Sequence, residues 1–180
     1  MRLLSIVLFL GVLLVSCGQP EARKPIIRKT SSFMNESIER NKILNELEND
    51  ALSEKMKKEN EHEYLNSEQG FWYYYTKKDS IGHEFPEPGD QVFYSYEIRN
   101  LAEEVIFSKD EIGTKSYFVD KEELISGLQD GIKLLKEGEV ITFLFPSYKA
   151  YGYIGSDRIE KNQPLVYEVE LIKLNKKKNE

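Results

Sequence analysis

DKEELISGLQDGIKLLKEGEVITFLFP, residues Asp120 to Pro146, changes its hydrophobic period once, and that change decides the fold class. Asp120 is placed to cap a helix with Glu123 three residues on, and Leu124, Leu128, Ile132 and Leu135 follow at three- and four-residue spacing. Gly138 ends that helix, and Glu139 to Phe145 is a β-rich run stopped by Pro146, which has no N–H to give to a ladder. The stretch predicts one short helix held between strands.

Strands continue on both sides of it. Downstream, Leu165 to Leu174 alternates, with Leu165, Tyr167, Val169 and Leu171 on one face. Upstream, Val92 to Ile98 places Val92, Tyr94, Tyr96 and Ile98 on one face and Phe93, Ser95 and Glu97 on the other, as a half-buried antiparallel strand requires. Gly70 to Tyr75 reads as a further strand, and the loop Lys77 to Gly89 follows it with Pro86 and Pro88. Short strands are expected at Val105 to Ser108 and Ser116 to Val119. Because the helix does not alternate with strands as parallel βαβ units would, the class is α+β.

The N-terminal third has a different character. From Phe33 to about His62 there is no Gly or Pro, and Phe33, Ile38, Leu44, Leu47, Ala51 and Met56 thread a run rich in Glu, Asn and Lys. This predicts a helical arm over residues 33–65 with a thin apolar stripe. The arm pairs with a second copy through residues 33–62, lies back on the domain, or stands in solvent; its heptad pattern is not sustained. Before it, residues 17–32 hold two prolines and scattered charge and read as a flexible tether. Residues 1–16 read as a signal peptide: Arg2, then 13 residues from Leu3 to Val15, almost purely apolar and too short for a comfortable membrane span.

Leu14-Val15-Ser16-Cys17 resembles a bacterial lipobox. That resemblance implies a lipidated Cys17 whose several acyl chains anchor the protein durably, where one chain would hold only marginally. The membrane is then a partner, and the location is the cell envelope, facing the periplasm. The alternative is an ordinary signal peptide with Cys17 incidental.

Composition bounds the rest. With 180 residues the chain suits one domain with appendages, and 25 Lys and Arg against 31 Asp and Glu, net −6, leave no broad cationic surface for nucleic acid. The content of 40% hydrophobic and 12% aromatic residues supplies a packed core. His62 and His83 stand apart from any ligand pattern, so no metal site is expected. No nucleophile–base–acid triad or phosphate loop is evident either.

The informative segments are Gly89-Asp90-x-Val92-x-Tyr94-x-Tyr96, Glu123 to Leu128 with Gly131, Lys136 to Glu139, Phe145-Pro146 with Ala150-Tyr151-Gly152, and Leu165 to Leu171. In order and spacing, from about residue 88 to 174, they resemble the FKBP-type peptidyl-prolyl cis-trans isomerases. Together with the lipobox and the charged arm they look most like the FKBP lipoproteins associated with gliding motility in Bacteroidetes-type bacteria.

The resemblance implies a bent antiparallel sheet wrapped around one short helix over residues 70–175, with proline-containing protein clients and no cofactor. It implies that Tyr96 lines the pocket, Ile125 offers its backbone N–H to a substrate carbonyl beside Leu124, and Tyr151 donates its hydroxyl. Ile106, Phe107, Leu128, Ile159 and Tyr167 would complete the wall. It would also begin the helix near Ser126, later than the apolar spacing does. Two departures stand out: Phe107 occupies the place of a usual pocket aspartate, and Leu128 that of a usual tryptophan. Both imply weaker catalysis, and they keep a non-catalytic binding module open as a rival reading.

Overall fold

The computed structural model describes residues 30–78 and 84–177, so Cys17, His83, the signal-peptide residues and most of the tether lie outside the described part. The chain divides into Met1–Ile38, whose described residues are helical, and Glu39–Glu180. The helix α1 runs over Thr30–Lys58 and crosses that division. Seven strands follow: β1 (Leu65–Asn66), β2 (Trp72–Lys77), β3 (Gln91–Arg99), β4 (Val105–Phe107), β5 (Lys115–Phe118), β6 (Val140–Phe145) and β7 (Leu165–Asn175). Two short helices, α2 (Lys109–Ile112) and α3 (Ser126–Ile132), and a 3₁₀ turn at Ser147–Lys149 complete the list.

The strands form one antiparallel sheet in the order β1-β2-β6-β7-β3-β4, and β5 pairs with the first half of the β3 edge that β4 takes further along. Tyr167 on β7 faces Phe143 on β6 and Ile98 on β3, and all three are buried, so they lie in one layer of the core. Their neighbours Leu144 and Val166, which point the other way, are buried as well. The centre of the sheet is therefore covered on both faces, which is why all six residues of β6 are buried and five of them are apolar, Thr142 being the exception, with no alternation.

The helix α3 starts at Ser126, not at Asp120 as the apolar spacing had it. Asp120 has φ of +55°, a left-handed conformation that turns the chain instead of opening a helix. Leu128, Ile132 and Leu135 are nonetheless all buried, although Leu135 lies beyond the helix end. Apolar spacing reports which side faces the core, and the backbone hydrogen bonding follows only in part.

Gly127 and Gly131 explain how closely α3 can lie. Phe143 and Phe145 stack at 5.3 Å with 8° between their planes, a flat carpet beneath the helix. A Cβ on Gly127 would stand 2.9 Å from the Phe145 ring and 2.8 Å from the Lys149 carbonyl oxygen, and one on Gly131 would stand 3.0 Å from Phe143. Only glycine leaves room there.

On α1 the buried residues are Glu48, Leu52 and Lys55, while Leu47 and Ala51 of the expected stripe face solvent. Glu48 accepts from the Ser147 N–H and from its hydroxyl, each at 2.7 Å. Lys55 pairs with Glu59 at 2.6 Å and with Glu103 in the β3–β4 turn. This part of the arm lies back on the domain and is held there by charged groups.

Candidate active site

Tyr96 on β3 stacks on Tyr94 at 5.7 Å and on Tyr167 at 5.6 Å, so three phenol rings from two adjacent strands stand side by side. Tyr167 is fully buried, and its hydroxyl donates to that of Tyr151 at 3.5 Å. Burial, reinforced by Tyr151 alongside, pushes the Tyr167 hydroxyl far above the ordinary phenol range, and burial raises Tyr96 and Tyr94 in the same direction. These hydroxyls stay neutral at any physiological pH. Tyr151, the outer member of the pair, is only half-buried, so its hydroxyl stands at the border of the buried stack.

Beside this stack lies a hollow of about 300 Å³ walled by Tyr96, Ile98, Phe107 and Tyr151, with Glu111, Ile112 and Lys115 at its edge. Phe107 brings no carboxylate into it. The Arg158 guanidinium instead covers the Phe107 ring, 3.8 Å from its centroid, and pairs with Glu111. The wall next to Phe107 is thus aromatic, and the Glu111 carboxylate at its edge is paired with Arg158.

The other implied pocket residues take different places. Leu128 and Ile159 are buried in the hydrophobic core, and Ile106, Leu124 and Ile125 pack half-buried against it; none of the five lines the hollow itself. Ile125 caps α3 with φ −57° and ψ 138°, and its carbonyl accepts from the Gln129 N–H at 3.1 Å. Its own N–H has no partner among the described residues. The Ser126 hydroxyl donates to the Lys149 carbonyl at 3.4 Å, and Lys149 reaches Asp130 at 3.0 Å. These bonds tie the start of α3 to the turn that carries Tyr151.

The hollow also uses residues that the sequence reading passed over: Ile98, Glu111, Ile112 and Lys115. Glu111 and Ile112 belong to α2, which Ser108 caps by accepting the Glu111 N–H at 3.3 Å. The signal was present as Ser108-x-x-Glu111, the spacing of a capping box, inside a stretch whose first residue triplet reads more strongly as strand. Ser108 accordingly belongs to the helix cap and not to β4, where the sequence reading had put it.

A family model for FKBP-type peptidyl-prolyl cis-trans isomerases matches residues 82–172, just over half of the chain. A probable FKBP-type isomerase, FkpA, of Neisseria meningitidis serogroup B is 34% identical over 95 residues, which is 52% of this chain and 35% of that protein. The match therefore spans about a third of the relative's length. Among solved structures, a peptidyl-prolyl cis-trans isomerase from Pseudomonas syringae pv. tomato has a TM-score of 0.60 at 20% identity, over 75% of this chain and 96% of that one. FkpA from Escherichia coli has a TM-score of 0.57 at 21% identity, over 95% of this chain and 82% of that one, and at such identities the likeness speaks for the fold. With just over half its length matched and the bent sheet around α3 in place, the chain belongs to the FKBP-type peptidyl-prolyl cis-trans isomerase family.

Proposed function

We propose that this protein rotates X–Pro bonds in client proteins, binding the proline ring in the hollow beside Tyr96. The observation that carries the reading is that Tyr96 and Tyr151, distant in sequence, converge on one hollow lined mainly by aromatic and apolar side chains, with the Tyr151 hydroxyl at its wall. Rotation must cross about 18–20 kcal/mol because amide resonance is lost in the twisted state. A hollow poor in water favours the less charge-separated, twisted imide over the planar one. Tyr151 would hold one flanking carbonyl, and the unpartnered Ile125 N–H another, so that binding selects the twisted geometry. Leu124, Leu128, Ile106, Ile159 and Tyr167 act behind the wall by fixing its shape. No proton transfer and no cofactor enter this scheme.

The finer setting belongs to the same proposal. Cys17 in its lipobox-like context supports a lipid anchor, with residues 17–32 as tether and the domain over 70–175 working in the periplasm, in the manner of gliding-motility FKBP lipoproteins. Exposed Ile43 and Leu47 on α1 support a second copy of the chain as a further partner, which sedimentation at rising concentration tests. Loss of membrane association in Cys17→Ser checks the anchor.

A binding module is the rival reading, favoured by Phe107 where the family pattern has an aspartate. A protease-coupled or NMR exchange assay of a tetrapeptide containing one X–Pro bond decides between them. Acceleration above the uncatalysed rate by the full chain is expected; a folded chain that gives none reduces the protein to a binding module.

A further inference from the structure

Tyr151 has two sides. One faces the hollow beside Tyr96, and the other faces a second hollow of about 390 Å³, bounded by Asn41 and Leu44 of α1, by Tyr148 in the 3₁₀ turn and by Ile154 beyond it. That second space runs on past Asn41 and Leu44 into a third, of about 450 Å³, between Tyr153, Asn162 and Arg40. Both lie within the range of about 300–1,000 Å³ common to ligand sites. The three spaces share lining residues, Tyr151 between the first two and Asn41, Leu44, Tyr153 and Asn162 between the last two, so they lie in a row along the arm, and the last two together form a trough.

We infer that this trough binds the extended client segment that continues past the proline, so that the helical arm is part of the substrate site. The inference rests on the isomerase reading. A client whose proline sits beside Tyr96 is an unfolded chain, and its flanking residues must leave the hollow at some edge; the Tyr151 edge opens directly onto the trough. The lining suits such a guest. Asn41, Asn45 and Asn162 each present an amide donor and acceptor, the same pair a peptide main chain needs. Between them, Ile154 and Tyr153 stand 68% and 76% exposed, apolar surface able to take alternate client side chains. Arg40 is the one charged residue there, so the trough reads backbone and apolar bulk and not a charge code. Its walls are held in place, because Glu48, buried one turn beyond Leu44 on the same side of α1, clamps Ser147 at the root of the opposite wall.

The test compares peptides on the full chain: a tetrapeptide with one X–Pro bond, and the same peptide extended by four residues rich in Leu and Phe at one end or the other. The quantity read is the ratio of kcat/KM, extended over short. Extension at one end should raise it about tenfold, the worth of one or two hydrogen bonds with some apolar burial. The double variant Asn41→Ala/Leu44→Ser on one wall, and Ile154→Ser on the other, should each return the ratio to about two or less. Asn41 and Ile154 are exposed and Leu44 is only half-buried, outside the buried core, so both proteins should keep the parent circular dichroism.

A ratio near one for both extensions, or a raised ratio that survives in both variants, overturns the inference. So does a dimer in sedimentation that Asn41→Ala/Leu44→Ser dissociates while the ratio stays raised, since the trough would then belong to a second copy. If the tetrapeptide is not accelerated at all, the isomerase reading falls by itself. The trough is then judged by fluorescence anisotropy of a labelled extended peptide: saturable binding lost in both variants upholds it, and equal binding in all three proteins overturns it.

Discussion

The helix α3 meets the sheet through two glycines laid on phenylalanine rings, whereas α1 meets the domain through a buried glutamate and a buried lysine, with Leu52 between them. The first contact is apolar and works by closeness. The second is polar and works by position: Glu48 and Lys55 are seven residues apart, two turns and about 10 Å along one helix face, and each finds partners distant in sequence. Close apolar packing sets how near an element sits, and charged pairs set where along its length it is held. Both helices reach the same loop, α3 through Ser126 and α1 through Glu48, and that loop carries Tyr151.

The sharpest way to break this contrast is Gly127→Val, which drives a branched side chain into Phe145 and the Lys149 carbonyl. It should cost about 3 kcal/mol or more, read as a large fall in the denaturant midpoint, because overpacking at a rigid contact has no easy relief. Next is Glu48→Ala, which strands the N–H and hydroxyl of Ser147 in a buried place and should cost about 2–3 kcal/mol. It should also lower kcat/KM by loosening the Tyr151 loop, and Glu48→Gln should restore part of both losses. Equal activity in Glu48→Ala and the parent would show that α1 merely rests on the loop.

Tyr151→Phe removes the partner of the buried Tyr167 hydroxyl and should cost about 1 kcal/mol of stability, while lowering kcat/KM about fivefold, the effect of one hydrogen bond. The smallest effect concerns acid. Burial alone would raise the Glu103 carboxyl, but its bond to Lys55 and the neighbouring Arg99 more than reverse this and hold it below the ordinary 4.5. Glu103 thus binds fewer protons folded than unfolded, so its contribution is complete above about 4.5 and is lost as pH falls through the depressed folded value. Hydrogen exchange at falling pH should show α1 loosening before α3; the reverse order would mean that the ion pairs do not hold the arm.

The same contrast explains what was legible in the sequence. In the sheet, where burial depends on apolar side chains, periodicity found it: Leu165, Tyr167, Val169 and Leu171 are buried, and so are Val92, Tyr94 and Ile98, with Tyr96 on the same face half-buried at the hollow; on α1 it missed the buried Leu52. The start of α3 was misplaced because Leu124 keeps the apolar spacing while the chain is still turning after Asp120. The docking face of α1 was invisible, since Glu48 and Lys55 look like solvated residues until their partners at Ser147 and Glu103 are known. Collinear motifs located the Tyr96 and Tyr151 side of the hollow. Its far rim, Glu111 and Ile112 with Lys115, comes from a single helical turn and the first residue of β5, pieces too short to show a period.

The Tyr167 hydroxyl is sealed beneath the ring of Tyr96, and burial holds it un-ionised whatever the acidity outside. The aromatic stack therefore gains no charge as the buffer changes. Turnover should stay level across the neutral range, while the attachment of the arm alone responds to acid.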